Sequence, residues 1–381
     1  MPYNINFVNV LIAAGIFQGI IITIVLAVRK HSQANSNKYL SIALAVTFLH
    51  LTYLLLIDFN ITASYSWLLW IPLNYTTAIG PLLYLYSKSK TDNAFSFSKA
   101  EFKLFIPTIV ELVFHIAQVA FTVQCNTSYD RTSIFIPLYT LIYLWTGGSI
   151  YYFANKSLKL IQNHENWIIG NYANLRDITL RWLLKFISFY RWIWICWIPF
   201  IILLLITFQY DVGGLFLVVI MYTLILGVTY LTYFLGLEAL IQSSGIHLIK
   251  PKTLYSNKGY SSISKEKVKE LIDKLEHSMK DEKLFKDDQI SLSSLSRHIG
   301  EEPNLISFML NTHLKRSFYD FINHFRVEEA KSMMMNPDFE HYKIESIAYE
   351  CGFNSKATFN RSFKKLTKMS PSDFLKHNRS H

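Results

Sequence analysis

Acidic side chains are scarce over the first 264 residues of this chain: 9 Asp and Glu stand there against 17 Lys and Arg. A soluble domain of that size carries charge on about a quarter of its residues, so an ordinary water-exposed fold is excluded for this stretch. Cysteine is nearly absent. Cys125, Cys196 and Cys351 lie far apart, with neither metal-ligand spacing nor the makings of a disulfide framework. No basic segment precedes the first apolar run and no small-residue cleavage site follows it, so a retained span is expected rather than a cleaved signal. Missing too are the phosphate-binding Walker loop, the dinucleotide glycine motif, the HExxH pair and the GxSxG elbow. No catalytic constellation is legible, and neither an enzyme nor a cofactor nor a metal is expected. No repeat of 20–50 residues and no low-complexity tract is present.

What the first part holds instead is long apolar runs. They lie near Phe7–Val28, Tyr39–Ile57, Trp67–Ser87, Leu104–Gln124, Ile134–Ala154, Trp192–Phe208 and Leu215–Leu235. About 20 apolar residues cross the hydrocarbon of a bilayer as a helix, so seven spans are expected. The sixth run is short, and the amphipathic Thr179–Arg191 could lengthen it.

Loop charge orients the bundle. One set of connections carries Arg29, Lys30 and Lys38, then Lys88, Lys90, Lys99 and Lys103, then Lys156, Lys159, Arg176, Arg181, Lys185 and Arg191; the opposite set carries only Arg131. Basic loops stay in the cytoplasm, which places the N-terminus outside and everything after the seventh span inside. Trp67, Trp70, Trp192 and Trp194 fall near span ends, where aromatic rings anchor at the interface.

Polar residues inside spans are costly and suggest function or helix pairing. In the fourth run Thr108, Glu111, His115, Gln118 and Thr122 recur at helical spacing on one face. The third adds Asn74, Thr77, Pro81 and Tyr84, and the second adds His50. Glu111, His115, Gln118, Asn74 and His50 are candidate sensor-pocket residues, and Glu111 and His115, one turn apart, can share a charge-assisted hydrogen bond. Interhelical hydrogen bonding that only assembles the bundle is the competing reading.

The remaining residues differ in kind. Lys265–His381 holds 20 Lys and Arg and 18 Asp and Glu. After a Gly-, Pro- and Ser-containing linker, Lys265–Glu282 has Val268, Leu271, Ile272 and Leu275 at helical spacing and is expected as a connector helix. Two segments then follow one plan. Leu292–Gly300 leads through Glu301 and Glu302 into a helix from Pro303; Ile344–Gly352 leads through Phe353 and Asn354 into a helix from Ser355. In each, a small residue (Ser296, Ala348) precedes the glycine by four, leaving room for a crossing helix, and the glycine accepts the positive φ that ends the first helix.

Ser317-Phe-Tyr-Asp-Phe-Ile-Asn323, Arg326-Val-Glu-Glu-Ala-Lys331, Ile347-Ala-Tyr-Glu-Cys-Gly-Phe353, Phe359-Asn-Arg-Ser-Phe-Lys-Lys365 and Ser370-Pro-Ser-Asp-Phe374 occur in that order. Over roughly the last 95 residues the chain resembles the DNA-binding domain of the AraC/XylS family. The resemblance implies two helix-turn-helix units joined by a linker helix, with both recognition helices entering successive major grooves on one face of double-stranded DNA. Family contacts carried over by position fall on Lys356, Ala357, Thr358 and Arg361. Read from the residues alone, the last long helix buries Phe359, Phe363 and Leu366 and turns Lys356, Thr358, Arg361, Lys364 and Lys365 outward, with Ser355 as its cap. Arginine can grip guanine in bidentate fashion, and lysine meets phosphate. In the first unit Asn304 and Ser307 occupy base-facing positions, but Phe308 stands where the family usually has a polar or arginine side chain. Cys351 is expected to pack.

The fold expected is all-α: a seven-helix transmembrane bundle over residues 1–240, a linker and connector helix over 241–283, and a cytoplasmic double helix-turn-helix domain over 284–381. The function expected is a membrane-embedded one-component transcription regulator of a bacterial inner membrane. Its partners would be double-stranded DNA, the lipid bilayer, a signal ligand, RNA polymerase and a second copy of the chain as homodimer. The rival readings are a transporter or membrane enzyme with an appended DNA-binding domain, and a C-terminal domain turned to protein interaction.

Overall fold

Backbone N–H and C=O groups in an apolar setting must satisfy one another, and within a single segment only a helix does so. In a computed structural model this chain is built of helices. The structure describes residues 6–28, 34–59, 61, 65–73, 75–92, 95–124, 136–175, 178–210, 214–242 and 263–379. Among them there is no named strand, only one isolated antiparallel bridge, Tyr172 to Ser291.

The chain divides into two units. The first comprises Met1–Gln162 and Leu180–Ile249, the second Asn163–Thr179 and Lys250–His381. The first contains α1 (Phe7–Val28), α2 (Ala34–Asp58), α3 (Ile79–Thr91), α4 (Ile106–Gln124), most of α5 (Ile136–Asn171), α6 (Arg181–Tyr210) and α7 (Gly214–Gln242). Five helical stretches among the described residues are long and apolar enough to cross a membrane: Phe7–Val28, Ser36–Asp58, Lys99–Phe121, Arg181–Phe200 and Val219–Ile241. The amphipathic run expected to lengthen the sixth span is helical, since α6 starts at Arg181.

The third apolar run departs from expectation. It is not one helix. A 3-10 turn, Ser66–Trp70, gives way to extended backbone at Ile71, then to a second 3-10 turn, Thr76–Ala78, before α3 begins. Pro72 follows Ile71, and proline both lacks an N–H and pushes the residue before it out of the helical region.

Small residues set how closely the helices approach. A Cβ on Gly19 would run into the Phe48 ring, and one on Gly236 would lie 2.6 Å from Ile22 Cγ2. Contacts across the bundle also give strand sense to the helices. Asn6 meets Tyr222, Gly15 meets Thr229 and Ile22 meets Gly236, a nearly constant offset, so α1 and α7 run in parallel. Asn9 meets Asp58 and Gly19 meets Phe48, so α1 and α2 are antiparallel. Because α1 and α7 share a direction, Asn6 and Gln242 lie at opposite ends of the bundle.

The second unit holds α8 (Lys265–Lys280), α9 (Leu292–Ile299), α10 (Pro303–Thr312), α11 (Phe318–Met335), α12 (Ile344–Glu350), α13 (Lys356–Thr367) and α14 (Pro371–Arg379). Two apolar cores organise it. One gathers Leu275, Met279, Leu292, Leu295, Ile306 and Phe318; the other gathers Val327, Ala330, Ile347, Ala348, Phe359 and Phe363. The expected connector helix α8 is part of the first core, because Leu271, Leu275 and Met279 form a stripe four residues apart. Asn163–Thr179, which sequence reading left with the apolar region, contributes Ala173 to that core with no exposed surface.

Candidate nucleic-acid interface

Each putting-together of two short helices depends on how the first one ends. Gly300 closes α9 at φ 76°, and Gly352 follows α12 at φ 86°; both lie in the left-handed region that side chains avoid. Ser296 and Ala348 are buried beneath the crossing helices as their size allows. Ser291 accepts from the Ser294 amide at 3.2 Å while Ser294 Oγ accepts from the Ser291 amide at 2.9 Å, a reciprocal cap on α9. Pro303 stands in the first turn of α10.

The helix after the second turn is α13. Ser355 caps it, accepting from the Thr358 amide at 3.2 Å and donating to Thr358 Oγ1 at 2.9 Å. Phe359 and Phe363 are fully buried, whereas Leu366, expected in the same stripe, is 40% exposed. The outward face carries Lys356, Ala357, Arg361, Lys364 and Lys365. Their electrostatic situations differ. Lys365 Nζ sits 2.6 Å from Asp320 Oδ1, and Lys356 Nζ is 3.7 Å from Glu345 Oε2. Among the described residues no side-chain hydrogen bond or ion pair engages Arg361 or Lys364. From Gly352 onward the sequence has seven Lys and Arg against one acid, Asp373, so α13 lies in an electropositive stretch with two cations unneutralised.

The first unit offers less. Asn304 is half-buried on α10, and Ser307 accepts from Asn311 Nδ2 through both its carbonyl, at 2.8 Å, and its hydroxyl, at 3.3 Å. Phe308 lies edge-on to His313, with ring centroids 5.8 Å apart. Positive charge here follows the helix, at the exposed Lys315 and Arg316; Lys315 has a left-handed φ of 52°. Their place just past the second helix of a helix-turn-helix unit was the signal available in the sequence.

Arg326 was missed as a structural residue. It is 1% exposed, donates to the carbonyls of Phe285 at 2.7 Å and Asp287 at 2.8 Å, and stands over the Phe353 ring. Burial lowers its pKa to about 10, which still leaves it protonated at neutral pH. An arginine four residues after Ile322 and four before Ala330, within an apolar stripe, was the clue. Cys351 packs as expected: it has no exposed surface, its thiol lies 3.7 Å from Met333 Sδ, and burial pushes its pKa up to about 12, so it is a poor thiolate.

In the first unit of the chain, the polar stripe is brought together only in part. Glu111, 4% exposed, accepts from Thr77 Oγ1 at 2.6 Å, the Thr77 amide at 3.2 Å and Thr76 Oγ1 at 3.2 Å. Thr108 and Thr146 extend the cluster, each 3.1 Å from one of these hydroxyls. The interrupted third run thus supplies N–H and O–H donors to the Glu111 carboxylate. Gln118 and His50 are buried, and the His50 ring is 6.3 Å from Tyr143. Asn74 and the Thr122 side chain lie outside the described residues.

Residues 295–377 match a family described as a helix-turn-helix domain. Over 129 residues the chain is 32% identical to an HTH-type transcriptional regulator of Staphylococcus aureus strain COL, which covers 34% of this chain and 16% of that protein. Over 85 residues it is 32% identical to an HTH-type transcriptional regulator of Escherichia coli strain K12, covering 22% and 29%. The chain thus spans less than a third of the length of these relatives. No solved structure matches it. The two turns, their closing glycines and the family match agree: the C-terminal part of this chain carries a helix-turn-helix domain.

Proposed function

We propose that the chain is a transcription regulator embedded in a bacterial inner membrane, reading promoter DNA with its C-terminal domain under control of the helical bundle. The observation that carries the DNA reading is the outward face of α13, where, among the described residues, acids pair with Lys356 and Lys365 but none with Arg361 or Lys364. Such cations serve guanine and phosphate. Arg361 is assigned base readout, Lys356, Ala357, Thr358 and Ser355 the surrounding contacts, and Lys364 phosphate. Asn304 and Ser307 line the weaker first unit.

The membrane placement rests on the apolar helices and on the parallel course of α1 and α7, which puts the ends of the bundle on opposite sides. With basic loops inside, the helix-turn-helix domain is cytoplasmic and meets DNA, RNA polymerase and a second copy of the chain there. Residues 1–240 act as sensor, 241–283 as connector and 284–381 as reader. Crosslinked DNA recovery from cells carrying the full chain tests this, with Arg361→Ala as control. Discrete promoter sites lost in the variant are expected. Uniform recovery unaffected by Arg361→Ala would sink the assignment, as would a C-terminal reporter fusion active only outside the cytoplasm.

A further inference from the structure

Three helices of the first unit meet in a hydrogen-bonded knot at one end of the bundle. Asp58, the last residue of α2, accepts at Oδ2 from Asn9 Nδ2 on α1 at 2.5 Å and from the Tyr222 hydroxyl on α7 at 2.7 Å. Asn6 Nδ2 in turn donates to Tyr222 at 3.2 Å. Asn9 is fully buried. Asp58 Oδ1, by contrast, accepts no hydrogen bond from any described residue.

Beside this carboxylate lies a cavity of about 120 Å³, lined by Asp58 and Tyr222 together with apolar residues that include Ile12, Leu51, Leu55 and Ile225. All four wall residues are less than a tenth exposed. An apolar cavity of about 150 Å³ takes a benzene molecule, so this one suits a single ring or a short alkyl chain. Apolar walls with one oriented polar group are the usual make-up of a small-molecule site. A carboxylate at the edge of hydrocarbon also wants a cationic partner, and among the described residues no Lys or Arg lines the cavity.

We propose that this pocket binds a small cationic amphiphile, with its ring or short chain between Ile12, Leu51, Leu55 and Ile225 and its ammonium on Asp58 Oδ1. Asn9 and Tyr222 are positioning residues: by occupying Oδ2 they fix the carboxylate so that Oδ1 faces the incoming head. The site gives the bundle a ligand class, and it joins α1, α2 and α7, so occupancy bears on how those helices pack. A carboxylate that only ties the three helices together would show no preference for a cation.

The test uses the full chain in nanodiscs of neutral phosphatidylcholine, titrated with benzylammonium, benzyl alcohol and benzoate, with DNA binding followed in the same preparation. Benzylammonium is expected to bind saturably and about tenfold or more tighter than the alcohol, with benzoate not binding. Asp58→Asn should abolish the preference for the cation, and Leu55→Phe, which fills the cavity but keeps the carboxylate, should abolish binding of both. Equal affinities for cation and alcohol, or a preference that survives Asp58→Asn, would overturn the site. If Asp58→Asn does not fold, Leu55→Phe decides, since cation binding that persists there lies elsewhere. A tightly held lipid chain that no probe displaces would also overturn it. Failure of these arms with DNA binding intact counts against the pocket alone and leaves the DNA reading standing.

Discussion

Arg326 and Gly352 converge on one carbonyl oxygen. Arg326 Nε donates to Phe285 O at 2.7 Å, and a Cβ on Gly352 would stand 2.6 Å from the same atom. The guanidinium pulls the backbone of Phe285–Asp287 inward; the missing side chain of the turn glycine lets it arrive. The linker helix α11, the second helix-turn-helix and the segment entering the first are thereby joined at a point.

This contact makes a stability prediction. Gly352→Ala combines a φ of 86° with a backbone collision and should cost about 2 kcal/mol or more. Arg326→Met leaves the buried Phe285 carbonyl without its arginine donor and should cost about 2–3 kcal/mol. Because both act on the same segment, the double variant should lose less than the sum. Urea-dependent protease resistance of the C-terminal unit measures all three, and strict additivity would show that the two residues act separately.

On α13 the ion pairs separate three cations that look alike in sequence. Arg361→Ala should weaken DNA binding by about 1–3 kcal/mol and relax discrimination at one base pair. Lys364→Ala should weaken binding evenly across sequences and lower the salt slope by about one. Lys365→Ala should do less, since Asp320 already neutralises that ammonium. Asp320→Asn should instead release Lys365 and tighten binding. Binding titrations at several salt concentrations check the series; equal losses for Lys364→Ala and Lys365→Ala would refute it.

His324 supplies a pH dependence. Burial, aided by the nearby Arg316, lowers its pKa below the usual imidazole value, and its Nδ1 has no hydrogen-bond partner among the described residues. The unfolded chain therefore binds the proton more readily than the folded one. The contribution is present above the ordinary histidine pKa and is lost as pH falls through the lower folded value. The C-terminal unit should lose stability on acidification from about pH 7 to 5, and His324→Gln should flatten that slope. An unchanged slope in the variant would assign the effect to another group.

Glu111 is expected to behave as a cap for the interrupted third run. Glu111→Ala strands the Thr77 amide and two threonine hydroxyls and should reduce the amount of folded protein in the membrane, whereas Glu111→Gln retains an acceptor and should reduce it less. Normal abundance of both variants with an altered signal response would instead make Glu111 part of the sensor. Quantitative blotting of membrane fractions beside a promoter reporter distinguishes the two.

Much of this was written locally and could be read directly. Apolar runs such as Phe7–Val28 announce helices because hydrocarbon leaves the backbone no other partner. Gly300, Gly352, Pro303 and Ser355 marked both turns because each answers a constraint of its own residue's φ, its N–H or its hydroxyl. The outward position of Arg361 followed from helical spacing against Phe359 and Phe363. What spacing cannot carry is the partner a side chain finds far along the chain. Glu111 found Thr76 and Thr77, donors more than thirty residues away in the run broken near Pro72. Lys365 was claimed by Asp320, Ala173 entered a core more than a hundred residues downstream, and Asp58 met Tyr222, 164 residues further along the chain. Pattern along one helix sets which face is polar; only the packing of helices brought side by side decides which atom each polar group meets.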